Sequence, residues 1–176
     1  LMLRYVTLLN CEGRCEEALQ ILLTRRFHPW EGGEGKVSAQ YRYALIRLAK
    51  DCLNRGENDR AVQLLEQSKT YPDTLGEGKL PNVLDNEADY WQGVALRAMG
   101  REPEAAAAFL RAASGPQEPG RVLYYNDQPS DFIYYQGLAQ RAMGNEAAAR
   151  KAFHKLLTYG ETHLFDLSLI HISEPT

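Results

Sequence analysis

One stretch of the 176-residue chain decides its fold: Gly100-Arg101-Glu102-Pro103-Glu104-Ala105-Ala106-Ala107-Ala108-Phe109. Here a glycine is followed five residues later by alanine and nine residues later by a large apolar residue. The spacing occurs four times, at offsets of 43, 44 and 44 residues, in Gly13/Ala18/Leu22, Gly56/Ala61/Leu65, Gly100/Ala105/Phe109 and Gly144/Ala149/Phe153. Such a period is typical of stacked helical hairpins, each of which buries its apolar face only against its neighbours. The sequence therefore predicts an all-α solenoid of about four helical hairpins.

Each unit is predicted to contain two helices with the glycine between them. In the third unit the helices are expected over residues 86–99 and 102–113. Gly100 suits the left-handed conformation that commonly ends a helix. Gly93, seven residues earlier, lets the second helix approach closely, with Phe109 as the large side chain at the crossing.

The spacing resembles that of the tetratricopeptide repeat. Aromatic pairs fit the resemblance, as in Tyr90-Trp91, and so do the prolines 16 residues after three of the glycines: Pro29, Pro72 and Pro116. The resemblance implies a right-handed α-α superhelix over residues 1–160, with repeats near 1–28, 38–71, 86–115 and 130–159. The units exceed the usual length of about 34 residues because each junction carries a long loop.

The junction loops are the predicted functional elements, because insertions at one point of each repeat lie on one face of a solenoid. Gly33-Glu34-Gly35-Lys36 recurs 43 residues later as Gly76-Glu77-Gly78-Lys79. We predict a concave groove for a partner, its rim lined by Trp30, Lys36, Lys79, Arg121, Tyr125 and Asp127. The loop aromatics have two interpretations that stay open: an apolar plug between repeats, or a platform for a peptide or sugar ring.

The loops also resemble those of one bacterial family whose tetratricopeptide repeats follow a β-rich N-terminal domain of unknown function. The resemblance is carried by residues 30–37, 76–81, 124–129 and 159–164. It implies that this chain is the repeat region, that the bacterial cytoplasm is its expected compartment, and that carbohydrate is a possible context. Residues 161–176 are expected to form a tail, of which 167–176 resembles a non-native read-through peptide.

Composition and motifs argue against most other classes. The net charge is −3, and the sequence contains no block of like charges. Neither nucleic acid nor a membrane is therefore an expected partner. Three cysteines and four histidines give no metal-binding spacing, and no cofactor is predicted. Lys36 is followed by valine rather than the serine or threonine of a phosphate-binding loop, which favours a tight turn.

The prediction for function is a non-catalytic interaction module that binds a protein partner or an adjoining β-rich domain. Acidic residues such as Glu87 stand at helix starts, where the helix dipole accounts for them without catalysis. The alternative is a helical accessory domain of a carbohydrate-active bacterial enzyme whose catalytic part lies upstream.

Overall fold

The protein folds as a row of helical hairpins. The computed structural model describes residues 1–28, 30–120 and 127–164, so the proposed read-through peptide lies outside the described residues. Within these ranges the helices are α1 (Met2–Cys11), α2 (Cys15–Thr24), α3 (Lys36–Asn54), α4 (Asn58–Gln67), α5 (Asn86–Ala98), α6 (Glu102–Ala112), α7 (Phe132–Ala142) and α8 (Glu146–His163). One 3-10 turn, Asp73–Leu75, lies between α4 and α5. None of the helices in the described part of the chain is long and apolar enough to cross a membrane.

The helices pack in the order that a solenoid requires. The two helices of each hairpin contact one another, and the second helix of each hairpin contacts the first helix of the next. First helices also contact one another, as in the pairs α1/α3, α3/α5 and α5/α7. The all-α helical-repeat solenoid predicted from the spacing is therefore confirmed.

The repeated glycine forms the turn inside each hairpin. Gly13, Gly56, Gly100 and Gly144 have φ values between 73° and 84°, which only glycine adopts without strain. In the third hairpin, Gly100 N–H donates to the carbonyl of Arg97 at 2.9 Å, and Arg101 N–H donates to Leu96 at 3.0 Å. These two bonds form a Schellman motif, which satisfies carbonyls at the end of α5. The left-handed turn therefore sets the reversal between the two helices.

The core keeps a size relationship at the crossings of the second, third and fourth hairpins. In the third hairpin Gly93 meets the buried ring of Phe109, and in the fourth Gly137 meets Phe153. The second hairpin has Ala49 and the smaller Leu65 at the corresponding positions, and both are fully buried. A larger residue on one helix is thus matched by a smaller one on the other, which keeps the interior close-packed.

A proline makes the second junction differ from the first. Lys36 of the first Gly-Glu-Gly-Lys run is already the first residue of α3, whereas α5 begins seven residues after Lys79. Pro81 disfavours the helical conformation in Leu80 before it, so a helix does not run on from Lys79 as α3 does from Lys36. Residues 80–85, here called the wall segment, therefore run as irregular backbone along the side of the solenoid.

Candidate partner-binding groove

The wall segment encloses a groove with the first helices of three hairpins. The groove has a cavity volume of about 460 Å³. Its lining comes from α3, from the wall segment and from the starts of α5 and α7, and it includes Ala39, Arg42, Tyr43, Ile46, Leu80, Val83, Leu84, Glu87, Phe132 and Tyr135. Concave sites of this size suit a few side chains of a ligand.

Much of the groove surface is apolar. Ile46 and Phe132 are buried at its base, whereas Tyr43 is 49% exposed and Leu80 is 38% exposed. Both side chains line the groove, Tyr43 from α3 and Leu80 from the wall segment. The groove therefore offers apolar surface that a ligand side chain would remove from water.

A hydrogen-bonded cluster joins the starts of α5 and α7. The Tyr135 hydroxyl donates to Glu87 Oε1 at 2.6 Å, and Lys50 Nζ lies 3.0 Å from the same oxygen. Lys50 Nζ also stands 4.9 Å from the centre of the Trp91 ring. Burial, and then the bond to Glu87, raise the pKa of Tyr135, so its hydroxyl keeps its proton and acts as a donor.

A second carboxylate stands beside this cluster. Asp131 precedes α7 and lines the same groove as Glu87. Reduced hydration within the groove raises the pKa of Asp131, although the residue keeps an exposed surface, and the charge of Glu87 raises it further. Two like charges therefore share one end of the groove.

Cations hold the wall segment in place. Arg42 Nη2 donates to the carbonyl of Leu84 at 2.7 Å and lies 3.6 Å from Asp85 Oδ1. Lys79 Nζ contacts Asp85 Oδ2 at 2.5 Å and donates to the carbonyl of Lys69 at 3.1 Å. The segment thus has fixed geometry even though it has no regular secondary structure.

The start of α3 is held by the next junction loop. Glu77 Oε2 accepts the N–H of Gly35 at 2.8 Å, and Glu77 Oε1 accepts the N–H of Ser38 at 3.2 Å. These N–H groups have no partner within the helix, and the helix dipole favours a carboxylate at this end. Glu77 therefore couples the second junction loop to the helix that forms one side of the groove.

The structure brings two of the predicted rim residues together, and separates two others from them. Lys36 and Asp127 line the groove. Trp30 does not line it; its ring covers Gly33 and is 45% exposed. Lys79 does not line the groove either, and its ammonium group contacts Asp85 of the wall segment.

Arg121 and Tyr125, the other two predicted rim residues, lie outside the described residues. The two Gly-Glu-Gly-Lys runs also differ in backbone. Gly35 has φ 77° and begins a helix, whereas Gly76 has φ 76° and ends the 3-10 turn. The second glycine of the second run, Gly78, which corresponds to Gly35, is outside the left-handed region. Although the two runs have the same sequence, Lys36 and Lys79 therefore do not occupy equivalent positions in the structure.

The groove also contains residues outside the predicted rim. Tyr43 lies on α3, Tyr135 on α7 and Asp131 immediately before α7. Glu87, which the helix dipole is expected to account for, lines the groove as well. The available signal was the position of Glu87 and Asp131 at the starts of successive first helices, which the contacts α3/α5 and α5/α7 bring side by side.

The described residues contain no cluster of three or more histidine, cysteine or carboxylate side chains placed to hold a metal ion. Cys15 and Cys52 are buried, and burial raises the pKa of both thiols, which favours the unreactive protonated form.

Comparison with known protein families matches part of the chain to a repeat family. The family model described as "Tetratricopeptide repeat" matches residues 131–159, which cover α7, the turn at Gly144 and most of α8. No solved structure matches the chain. The fourth hairpin is therefore similar to a tetratricopeptide repeat, and the other described hairpins share its helix-turn-helix form.

Proposed function

We propose that the chain is a non-catalytic module that binds a protein partner, or an adjoining domain of its parent protein, through the groove. The observation that carries this proposal is the groove itself, with exposed apolar side chains on α3 and on a firmly held wall segment. A groove held open before binding costs less ordering entropy when a partner enters.

Site-specific photo-crosslinking in a lysate of the source cells tests the proposal. A benzophenone amino acid replaces Tyr43 in the groove or, in a control protein, Leu110, which is exposed on α6. We expect a discrete adduct from position 43 and none from position 110. The partner is then identified by mass spectrometry, purified and titrated by calorimetry.

Two matched variants assign the adduct to the groove. Ala39 lines the groove on α3, so Ala39→Trp fills it; Ala107 is exposed on α6 and lines no part of the groove. Ala39→Trp is expected to abolish binding of the purified partner, while Ala107→Trp leaves it unchanged. Equal binding by both variants would contradict the proposal.

The carbohydrate alternative rests on different side chains. Trp30 and Tyr134 are both about half exposed, at 45% and 47%, and such rings stack on sugars. Under this alternative, soluble oligosaccharides change the fluorescence of Trp30, and Trp30→Ala removes the change. An unchanged spectrum at millimolar oligosaccharide would rule the alternative out.

A further inference from the structure

The charge of the groove indicates what kind of segment it accepts. Among the described residues that line it, four carry carboxylates and two carry cations: Glu34, Glu87, Asp127 and Asp131 against Lys36 and Arg42. The described lining therefore carries an excess of negative charge. Apolar walls around such charges focus their electric field within the cleft.

Both lining cations are already engaged with backbone carbonyls. Arg42 binds the carbonyl of Leu84, and Lys36 Nζ donates to the carbonyl of Gly32 at 2.7 Å. To pair with either cation, an acidic segment would have to break one of these hydrogen bonds. Arg42 is also one of the two cations that hold the wall segment in place. Complementarity therefore disfavours a carboxylate-rich partner.

The carboxylates Glu87 and Asp131 are in a different situation. Glu87 has Lys50 beside it. Reduced hydration, and then the charge of Glu87, raise the pKa of Asp131, and the positive charge of Arg42 offsets this only in part. A cation placed there by a partner would offset this repulsion. The exposed faces of Tyr43 and Leu80 lie in the same groove, so the apolar and acidic surfaces are continuous.

We infer that the groove binds a protein segment in which a lysine or arginine adjoins a large apolar residue. The apolar side chain packs between Tyr43 and Leu80, and the cation lies against Asp131 and Glu87. This inference rests on the proposed function, and it specifies the chemistry of the partner.

A display selection with random twelve-residue peptides tests the inference on the full 176-residue chain. We expect the selected pool to be enriched in lysine or arginine next to leucine, phenylalanine or tyrosine, and the enrichment to disappear with Ala39→Trp but not with Ala107→Trp. A pool without cationic excess overturns the charge assignment and leaves the proposed function standing. A pool no different from the naive library overturns both.

Affinity measurements on a selected peptide locate the cation. Asp131→Asn is expected to weaken binding by about fivefold or more at low salt, and added salt should narrow the difference. Asp59→Asn, at an exposed position in the first turn of α4, is the matched control and should leave affinity unchanged. Unfolding midpoints of the three proteins establish that all are folded. Equal affinity for Asp131→Asn and the parent would overturn the assignment.

Discussion

The ring of Phe109 on α6 lies directly against the backbone of Gly93 on α5. A Cβ atom added at Gly93 would stand 2.6 Å from Cε1 of this ring. Phe109 is only 1% exposed, and Arg97 stacks on it with its guanidinium carbon 4.5 Å from the ring centre. The ring is therefore confined, and the glycine is required by close approach and not by its backbone angles.

Gly93→Ala should destabilise the protein. The added methyl group overpacks a confined core site, so we expect the free energy of unfolding to fall by about 1–3 kcal/mol. Urea denaturation followed by circular dichroism measures the change. Combining Gly93→Ala with Phe109→Leu should recover part of the loss, since Ala49 and Leu65 form such a pair one hairpin earlier.

Gly160→Ala is the matched control, with the opposite expected sign. Gly160 lies within α8, and a Cβ atom there would meet nothing within 4 Å. Alanine has the higher helix propensity, so the variant should gain about 0.5–1 kcal/mol. A loss of similar size in both variants would show that the close contact with Phe109 is not the cause.

The two lysines of the repeated loop motif should differ in their effect on stability. Lys79→Met removes one of the two cations beside Asp85 and a hydrogen bond to the carbonyl of Lys69, and is expected to cost about 1–3 kcal/mol. Lys36→Met removes one exposed hydrogen bond and should stay within about 0.5 kcal/mol of the parent. Thermal unfolding of the two variants side by side decides the matter, and equal losses would contradict the structure.

The two glutamates of the same motif provide a parallel comparison. Glu77→Ala removes the acceptor of two N–H groups at the start of α3 and should cost about 1–2 kcal/mol, as loss of a helix cap does. Glu34 has a buried Oε2 atom without a hydrogen-bond partner, so Glu34→Ala should be neutral or slightly stabilising. Hydrogen exchange at the first turn of α3 should accelerate in Glu77→Ala only.

The carboxyl of Asp131 should make stability depend on pH. A carboxyl whose pKa is higher in the folded than in the unfolded protein binds its proton more tightly when folded, so its ionisation reduces stability as pH rises. Asp131→Asn should therefore be more stable than the parent at pH 7, and the difference should vanish as pH falls to about 3.5, below the ordinary pKa of aspartate. Asp59→Asn provides the reference, and a gain that persists at low pH would exclude ionisation as the cause.

The hairpin scaffold was predictable from the sequence because it depends on local rules. Gly100 is left-handed where a helix end requires it, and the helices expected over 86–99 and 102–113 are observed at Asn86–Ala98 and Glu102–Ala112. Ala105 and Phe109 of the repeated spacing are both buried. Spacing alone carries this information, since helix faces repeat at three and four residues.

The groove was harder to predict because it depends on contacts between hairpins. Glu77 caps α3, a helix that begins 41 residues earlier in the chain. Tyr135 of the fourth hairpin donates a hydrogen bond to Glu87 of the third hairpin. Neither contact follows from a local pattern. The two Gly-Glu-Gly-Lys runs also suggest an equivalence that the structure lacks. After Pro81, α5 begins only at Asn86, and Lys79 supports the wall segment instead of lining the groove.

Pro81 has a wider consequence for how such a protein diversifies. The wall segment belongs to the groove but not to the helical array, so its length and composition can change while the hairpins keep their packing. Doubling a loop of this kind costs only about 0.6 kcal/mol of closure entropy. On the proposed function, we expect a different segment grafted between Lys79 and Asp85 to change which partner binds while the hairpins keep their packing.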